Sequence, residues 1–377
     1  MVVLPYNTVM SITRNEKPTV VPKVEVIREL LRSHIISGRY LPGHRLPTFV
    51  EMEGEFDVGR AVIQQALGSL KREGFIRSVN RQGLYVVSNP PHLFQYGIVM
   101  AATPGEPGWN QLMTALSNEA HRIEKSDPQT HFRFYYNITD KESCNAVVAK
   151  LREDIKSQCL AGLILTPKTF HLLDHPVLAQ QPVPRVYLWA MENSGLAPRV
   201  GTDSKQLISR ALHFLKEQGR QRIAIVHMAD TTTDINHKAL YAEAGLDFHL
   251  PWIQRIGRSH PEFAQDVTSL LMDYRFENRP DGLIIADDNL VDPVSRGLVT
   301  TGIKVGQELE IVAHCNWPWP AQSVLPMTRI GFNIGEILDS AMAAIALQRQ
   351  DQIPPTSQRV RALFEHEVPA KPVPSVV

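Results

Sequence analysis

The fold of the first quarter of the chain is decided by residues 38–76, which read GRYLPGHRLPTFVEMEGEFDVGRAVIQQALGSLKREGFI. Proline and glycine at 41–43 predict a turn, and Thr48 after that turn can cap a short helix. The short helix is predicted to end before Gly59, and a longer amphipathic helix is predicted over residues 60–73. The stretch therefore predicts two consecutive helices joined by a tight turn.

The flanking residues complete a small domain around these two helices. A first amphipathic helix is predicted over 23–37, because apolar residues recur there at helical spacing, namely Ile27, Leu30, Leu31 and Ile35. Two strands are predicted over 75–79 and 84–87, joined by a turn at 80–83. Three helices followed by a hairpin are the layout of a winged helix-turn-helix, in which the second helix supports the third.

The charge of the whole chain is balanced, with 39 Lys and Arg against 39 Asp and Glu. Any nucleic-acid binding must therefore come from local placement of charge. Residues 23–86 contain ten basic and seven acidic side chains, which is only a mild excess. Its placement is more informative, because Arg60 opens the third helix while Arg77 and Arg81 lie on the hairpin, where all three can face one DNA groove.

The remainder of the chain alternates short apolar runs with helical segments. Strands are predicted over 96–101, 132–136, 161–165, 185–188, 222–227, 282–286 and 310–314. Helices are predicted between them over 109–125, 143–158, 203–218, 261–274, 291–301 and 333–346. This alternation predicts parallel sheets covered by helices on both faces, and the length allows two lobes. Ligands of such sheets bind at the carboxyl ends of the strands.

The predicted fold class is α/β: an N-terminal winged helix-turn-helix of α+β type, followed by a two-lobed, doubly wound parallel-sheet domain. Pro90 and Pro91 mark a linker between the two, because consecutive prolines restrict the backbone and end a strand. The predicted division is an extension (1–22), the winged helix (23–88), the linker (89–94), the large domain (95–368) and a tail (369–377).

Several classes of protein are disfavoured by the sequence. Cys144, Cys159 and Cys315 are odd in number and widely spaced, as expected of free core thiols in a reducing compartment. The N-terminus lacks the features of a signal peptide, and no apolar run approaches the ~20 residues that span a bilayer. We therefore expect a cytoplasmic chain that does not bind membranes.

We also expect no catalytic residues, no cofactor and no metal. There is no glycine-rich phosphate loop, nucleophile elbow or CxxC pair in the sequence. His171 and His175 stand four residues apart, as metal ligands on a helix can, but no third ligand lies near them in the sequence. Both are expected to be surface residues.

The first domain resembles the GntR family of bacterial regulators. The resemblance rests on residues 38–48, on the Gly59-Arg60 pair and on residues 66–76. It implies that the arginine at the start of the third helix and the polar residue four positions later, Arg60 and Gln64, contact DNA. Arginine at a helix N-terminus in the major groove can pair bidentately with guanine. The candidate DNA-binding residues are Arg45, Thr48, Arg60, Gln64, Arg77, Arg81 and Gln82.

Departures from this family predict an altered operator preference and a modest affinity that a dimer could restore. Phe49 stands where an acidic residue is usual, Gly59 replaces a hydroxyl residue, and Gln64 replaces an arginine; Ala61 and Val62 replace threonines. Two alternatives remain open: Arg60 could cap its helix or pair with a neighbouring acid, and Arg81 and Gln82 could form a solvated turn.

The second domain resembles the LacI and periplasmic sugar-binding family. The resemblance rests on residues 200–203, 211–226, 280–288 and 311–314. It implies a small polar ligand between two lobes, held by residues at strand ends. Regulators that join a GntR-type domain to a LacI-type domain are a known arrangement.

Carried over by position, the candidate effector-binding residues are Trp109, Asn110, Trp189, Asp203, Asp287, Asp288, Asn316 and Trp317. Carboxylates accept hydrogen bonds from sugar hydroxyls, and a tryptophan face covers the apolar side of a pyranose. The alternatives are that the aspartates cap helices and that Trp317 and Trp319 only pack a loop or a subunit interface. Residues 231–238 lack the arginine that grips the effector in relatives, and Cys315-Asn316 replaces a customary Asp pair.

The resulting hypothesis is a homodimeric, ligand-responsive transcription regulator, a repressor of carbohydrate-use genes, with double-stranded operator DNA and a small-molecule effector as partners. Two other classes remain as alternatives. A solute-binding protein of a transporter would bind the same kind of ligand without binding DNA. An enzyme on an α/β scaffold would need a set of catalytic residues that the sequence does not reveal.

Overall fold

The computed structural model describes residues 22–139, 145–174, 176–179, 183–191, 194–229, 235–273, 275 and 277–369. The predictions made for 1–21, Cys144, His175, 231–234 and 370–377 concern residues outside this set. The chain divides into two compact units, of which unit 1 ends at Pro91 and unit 2 begins at His92.

Unit 1 is a winged helix-turn-helix, as predicted. Its elements are α1 (Lys23–Ile36), α2 (Phe49–Phe56), α3 (Arg60–Arg72), β1 (Ile76–Val79) and β2 (Gly83–Val86). The two strands pair antiparallel and form the wing. The predicted cap at Thr48 is part of a capping box with Glu51, in which each side chain bonds to the backbone of the other residue. Apolar side chains from all three helices are buried together, including Leu31, Met52, Ile63 and Leu70.

A buried arginine fastens α1 to the end of α3. The side chain of Arg32 is fully buried, and its Nη1 and Nη2 donate to Glu29 Oε1 (2.6 Å) and Glu73 Oε2 (2.5 Å). Its guanidinium also lies over the Phe75 ring, 5.8 Å from the centroid. Removing one partner of a buried ion pair leaves the other charge poorly solvated, which is commonly more costly than the pair is stabilising.

We expect Arg32→Ala to destabilise unit 1 by about 3 kcal/mol, the lower end of the range for broken buried pairs. The lower end applies because Glu73 remains 19% exposed to water. All five tryptophans lie in unit 2, so urea unfolding of unit 1 in the full chain should be followed by circular dichroism. Arg39→Ala is the control, since the Arg39–Glu55 pair is largely exposed and should contribute less than about 1 kcal/mol. Equal losses in both variants would contradict this role of Arg32.

Unit 2 has the predicted two-lobed, parallel α/β architecture. The sheet of the first lobe has the strand order β13-β7-β6-β5-β3-β4 and is parallel throughout. Its strands are β3 (Gln95–Val99), β4 (His131–Tyr135), β5 (Gly162–Leu165), β6 (Arg185–Leu188), β7 (Arg199–Thr202) and β13 (Ser357–Val360).

The sheet of the second lobe has the order β14-β12-β11-β10-β8-β9, and only β14 runs antiparallel to its neighbour. Its strands are β8 (Ile223–Met228), β9 (Ile253–Ile256), β10 (Gly282–Ile285), β11 (Glu310–Trp317), β12 (Thr328–Asn333) and β14 (Leu363–Phe364). The helices that accompany the two sheets are α4 (Pro91–Phe94), α5 (Gln111–Ser126), α6 (Asn145–Lys156), α7 (Pro176–Ala179), α8 (Ser204–Glu217), α9 (His237–Ala244), α10 (Phe263–Leu271), α11 (Val291–Thr301) and α12 (Ile334–Arg349).

The chain passes between the lobes three times: after β7, after β12 and after β13. α8 follows a strand of the first lobe but packs on strands of the second, and α12 does the reverse. The connection after β7 is hydrogen-bonded to the one after β13. The amide of Asp203 donates to the Val360 carbonyl (3.1 Å), and the amide of Ala362 donates to Gln206 Oε1 (2.8 Å). This connectivity places the carboxyl ends of both sheets beside the junction of the lobes.

Two further sequence predictions can be compared with the structure. Cys159 and Cys315 are buried, as predicted for core residues. In the described part of the chain, no helix is both long and apolar enough to cross a bilayer.

Candidate functional site

The outward face of α3 carries the polar residues that the sequence singled out. Arg60 and Gln64 are exposed on this helix, while Ile63, Leu67 and Leu70 on its other side are buried in the core of unit 1. Gly68 continues this row and is half-buried, and apart from its own helix backbone and chain neighbours the atom nearest to the position of its Cβ is Arg72 Nη1, at 4.0 Å. A mid-helix glycine costs about 1 kcal/mol relative to alanine, and packing within the described residues does not require it. The row therefore forms a low, polar helix face open to solvent.

Seven of the eight arginines between residues 22 and 91 fall into two groups; the eighth, Arg72, lies in the last turn of α3 and donates to Ser69 Oγ (3.0 Å). Those on or just after α1 are engaged by carboxylates: Arg28 with Glu25, Arg32 with Glu73 and Arg39 with Glu55. Within residues 22–91, no ion pair or side-chain hydrogen bond engages the second group, namely Arg45, Arg60, Arg77 and Arg81. This second group lies at the start of α3 and around the wing, whereas the first group lies on or just after α1.

Three more of the candidate residues lie at the wing. Arg45 runs along it: residue 45 forms a β-bridge with Tyr85, and a Cβ at Gly83 would lie 3.2 Å from Arg45 Nε. Arg81 at the wing tip has a positive φ of 58° and is exposed, as is Gln82. Thr48 is occupied by the capping box of α2.

The candidate effector site lies where the two lobes approach each other. Asn110 caps α5, its Oδ1 accepting from the amide of Met113 (2.9 Å). The next amide, that of Gln111, donates across to Asn289 Oδ1 of the second lobe (2.9 Å). A second bond between the lobes runs from Trp319 Nε1 to the buried Glu119 Oε2 on α5 (3.2 Å). The start of α5 and the segment after β10 are thus hydrogen-bonded to each other, and α5 is also bonded to the segment after β11.

A buried polar cluster lies just after β10 and in the carboxyl-terminal half of β11 in the second lobe. Asn316 Nδ2 donates to Asp288 Oδ2 (2.6 Å), and the amide of Asp288 donates to His314 Nδ1 (3.2 Å). Because Nδ1 accepts that bond, the His314 ring is neutral with its proton on Nε2. Burial lowers the pKa of His314, and burial together with the neighbouring Asp287 raises the pKa of Asp288.

The raised pKa of Asp288 gives a pH-dependent prediction for Asp288→Asn. A carboxyl whose pKa is higher in the folded state binds more protons there, so wild-type stability falls as pH rises from about 4 toward that pKa. Asparagine has nearly the same shape and cannot ionise. We expect Asp288→Asn to stabilise unit 2 by about 1–3 kcal/mol at pH 8 and to be nearly neutral at pH 4.

Tryptophan fluorescence during urea unfolding measures this difference, since all five tryptophans lie in unit 2. Asp292→Asn is a matched control, because Asp292 is exposed and forms an exposed pair with Arg296. If Asp288→Asn increased the free energy of unfolding equally at pH 4 and pH 8, the assignment of a raised pKa to Asp288 would be contradicted.

The structure brings some of the candidate effector residues together and separates others. Asp288 and Asn316 are hydrogen-bonded to each other. Asp287 accepts from Asn289 Nδ2 (2.7 Å), and Asn289 in turn accepts from the amide of Gln111, the residue after Asn110. Asp287 also caps the short 3-10 helix Asp288–Leu290, and Asp203 caps α8. Trp317 Nε1 donates instead to the carbonyl of Leu363 (2.9 Å), and its indole is buried beside Cys315.

Two tryptophans remain half-buried at strand ends of the first lobe. Trp109 precedes α5, donates its Nε1 to Thr114 Oγ1 (2.8 Å) and lies 6.0 Å from the Tyr136 ring. Trp189 follows β6 with a φ of 52°. A bulky side chain in the left-handed region costs of order 1–3 kcal/mol and persists where the surrounding structure enforces it, commonly at ligand sites.

Sequence reasoning missed several residues of this junction, above all Asn289, Glu119 and His314. Asn289 directly follows the predicted aspartate pair, which was an available signal. Glu119 carried no signal, because it stands among helical residues and its partner Trp319 is 200 residues away.

Family models match both units. Residues 23–86 match the model described as bacterial regulatory proteins, gntR family. Residues 212–365 match the periplasmic binding protein-like domain. Together these matches identify the two domains that the sequence resemblances predicted.

Individual proteins are similar over most of the chain. An arabinose metabolism transcriptional repressor from Geobacillus stearothermophilus is 21% identical over 339 residues, which cover 83% of this chain and 87% of that protein. Among solved structures, a putative ribose operon repressor from Burkholderia thailandensis has a TM-score of 0.53 at 17% identity, covering 72% of this chain and 98% of that one. A LacI family regulator from an Arthrobacter species, in complex with lactose, has a TM-score of 0.53 at 13% identity, covering 72% and 97%. At these identities the structural likeness establishes the fold of unit 2.

Proposed function

We propose that this chain, which joins a gntR-type winged helix-turn-helix to a periplasmic-binding-protein-like domain, is a cytoplasmic, homodimeric transcription repressor. Unit 1 binds operator DNA, and unit 2 binds a small polar effector, a sugar, between its lobes. No catalytic step is part of the proposal.

The observation that carries the proposal is the confinement of the unpaired arginines Arg45, Arg60, Arg77 and Arg81 to the third helix and the wing. A guanidinium without a carboxylate partner keeps its N–H donors and its charge available to phosphate and to guanine. Glu25, Glu73 and Glu55 engage the arginines on or just after α1 instead. Such a distribution binds DNA even though the net charge of the chain is zero.

A sugar is proposed as the effector because the lobe junction combines carboxylate and amide groups with half-buried tryptophans. Asp287 and Asn289 supply acceptors and donors at the end of β10, and Trp109 and Trp189 supply aromatic faces at strand ends of the first lobe. The relatives named for arabinose, ribose and lactose support this class, while the sugar itself is left to experiment.

Signal transmission is proposed to run through the contacts between the lobes. A ligand that binds between Gln111 and Asn289, or near the Glu119–Trp319 bond, changes the relative positions of the lobes only if it binds two arrangements with different affinity. In a dimer, such a rotation changes the separation of the two DNA-binding domains. Operator half-sites are spaced by whole helical turns. If the separation of the two DNA-binding domains changes by a few ångströms, the domains no longer match both half-sites at once.

The test starts from a duplex selected by the wild-type chain from a pool randomised over about 20 base pairs, two helical turns. Fluorescence anisotropy should give tighter binding to this duplex than to a scrambled one, with affinity that falls steeply with salt. A thermal-shift screen of pentoses, hexoses and their phosphates should then find a ligand that raises the melting temperature of unit 2 and changes DNA affinity.

The outcomes separate the two halves of the proposal. Equal binding to both duplexes would exclude a specific repressor, and ligand binding without DNA binding would favour a solute-binding protein. Specific DNA binding without any response to sugars would support the assignment as a repressor and contradict the assignment of a sugar as the effector.

A further inference from the structure

The guanidinium of Arg60 is held by an aromatic ring. Its Cζ lies 5.0 Å from the centroid of the Phe49 ring. Phe49 is the first residue of α2 and Arg60 the first of α3, so this contact joins the starts of the two helices of the helix-turn-helix. Arg60 is exposed and Phe49 is half-buried.

This contact differs from the other arginine–aromatic contacts of the described residues. Four such contacts occur there, and in three of them a carboxylate also binds the guanidinium: Arg32 over Phe75 with Glu73, Arg39 over Tyr40 with Glu55, and Arg210 over Phe364 with Glu367. For Arg60 the described residues provide the ring alone. The acid in the first turn of α2, Glu51, is occupied, because its Oε2 accepts from the amide (2.6 Å) and the hydroxyl (2.9 Å) of Thr48.

The two kinds of partner have different consequences for DNA recognition. A carboxylate binds the edge of a guanidinium, where the five N–H donors lie, and so competes with a base or a phosphate. An aromatic ring contacts the face and leaves that edge available. The ring also restricts a side chain that otherwise loses considerable rotamer entropy on binding, and restriction before binding increases affinity.

We propose that Phe49 is a positioning residue for base recognition, which holds the Arg60 guanidinium over its ring so that the N–H donors stay available to DNA. The inference rests on the proposed function of unit 1 and names a specificity determinant within it. Phe49 itself makes no hydrogen bond to a base, so its effect passes through Arg60.

The experiment compares variants of the full chain on the selected and the scrambled duplex. Phe49→Leu should weaken binding to the selected duplex about two- to fivefold for each half-site, the range expected from an exposed cation–π contact. Binding to the scrambled duplex and the salt dependence should be unchanged, because no charge is removed. Phe49→Tyr should retain wild-type affinity, since it keeps the ring. Phe49→Glu should lose more than Phe49→Leu, because a carboxylate there would bind the N–H edge of Arg60.

A double variant separates positioning from a structural role. In an Arg60→Ala background, Phe49→Leu should have no further effect on affinity. Circular dichroism should show an unfolding midpoint for Phe49→Leu that is no lower than that of Arg60→Ala, because both variants lose the same contact. Equal losses on both duplexes, or the same loss in the Arg60→Ala background, would overturn the inference. Unchanged affinity of Phe49→Leu for the selected duplex would also overturn the inference about Phe49, but it would not affect the proposed repressor function. A wild-type chain that binds the two duplexes equally would contradict both proposals.

Discussion

Arg60→Ala is expected to abolish the preference of the chain for its selected duplex and to weaken binding to that duplex by about thirtyfold or more. A bidentate arginine–guanine contact provides about 1–3 kcal/mol of discrimination, and a dimer loses two of them. Binding to the scrambled duplex should fall only slightly, because non-specific affinity is shared among all the cations of the surface. Anisotropy titrations of both duplexes at two salt concentrations measure these quantities.

Arg39→Ala is the matched control for Arg60→Ala, since it removes the same charge from the same unit. Arg39 is half-exposed and its Nη2 donates to Glu55 Oε1 (2.5 Å), so its loss also frees an acid but should leave base discrimination intact. Arg60→Lys provides a second comparison, because lysine keeps the charge without the bidentate edge. We expect it to retain non-specific binding and to lose specificity. Full discrimination by Arg60→Ala would assign base recognition to other residues, such as Gln64.

The winged helix was predictable from sequence because its determinants are local. The third helix was predicted over residues 60–73 and is observed as Arg60–Arg72, since its apolar spacing, its glycine stop and its start after Gly59 all lie within a few residues. The ring under Arg60 was not predictable, because the position of Phe49 relative to Arg60 depends on how α2 and α3 cross. Phe49, which stands where the family usually has an acidic residue, thus places an aromatic ring beside Arg60.

The second unit was predicted in class but not in connectivity. β13 pairs with β7 although more than 150 residues separate them, and local periodicity carries no information on such a pairing. Neither strand was predicted, because four-residue parallel strands give little pattern. Trp317 shows how a misplaced strand end changes where a predicted site residue lies. β11 extends to Trp317 instead of ending at 314, and successive strand residues point to opposite faces. Asn316 therefore meets Asp288, while Trp317 packs beside Leu363.

The proposed dimer requires an apolar surface, and the pair of helices α10 and α11 offers one. Phe263 and Leu270 stand seven residues apart on one side of α10 and are 55% and 67% exposed, and Val299 on α11 is 58% exposed. The two helices pack closely: a Cβ at Gly297 would lie 2.4 Å from the Gln265 carbonyl oxygen, and Ser269 Oγ and Thr300 Oγ1 are 3.0 Å apart. Exposed apolar residues grouped on adjoining elements commonly mark an interface, and we assign this one to a second copy of the chain.

We expect Leu270→Lys to convert the dimer to a monomer and to weaken binding to the selected duplex a hundredfold or more. Burying two symmetry-related ammonium groups in an apolar contact is unfavourable, and a monomer loses the effective concentration that links two half-site contacts. Lysine near the C-terminus of α10 suits the helix dipole, so folding should be preserved. Leu250→Lys is the matched control, since Leu250 is 70% exposed in the same lobe but lies in the short 3-10 helix Leu250–Trp252. Sedimentation equilibrium gives the mass of each variant. A Leu270→Lys chain that remains dimeric would place the interface elsewhere, whereas a monomer with undiminished DNA affinity would show that a single winged helix suffices for recognition.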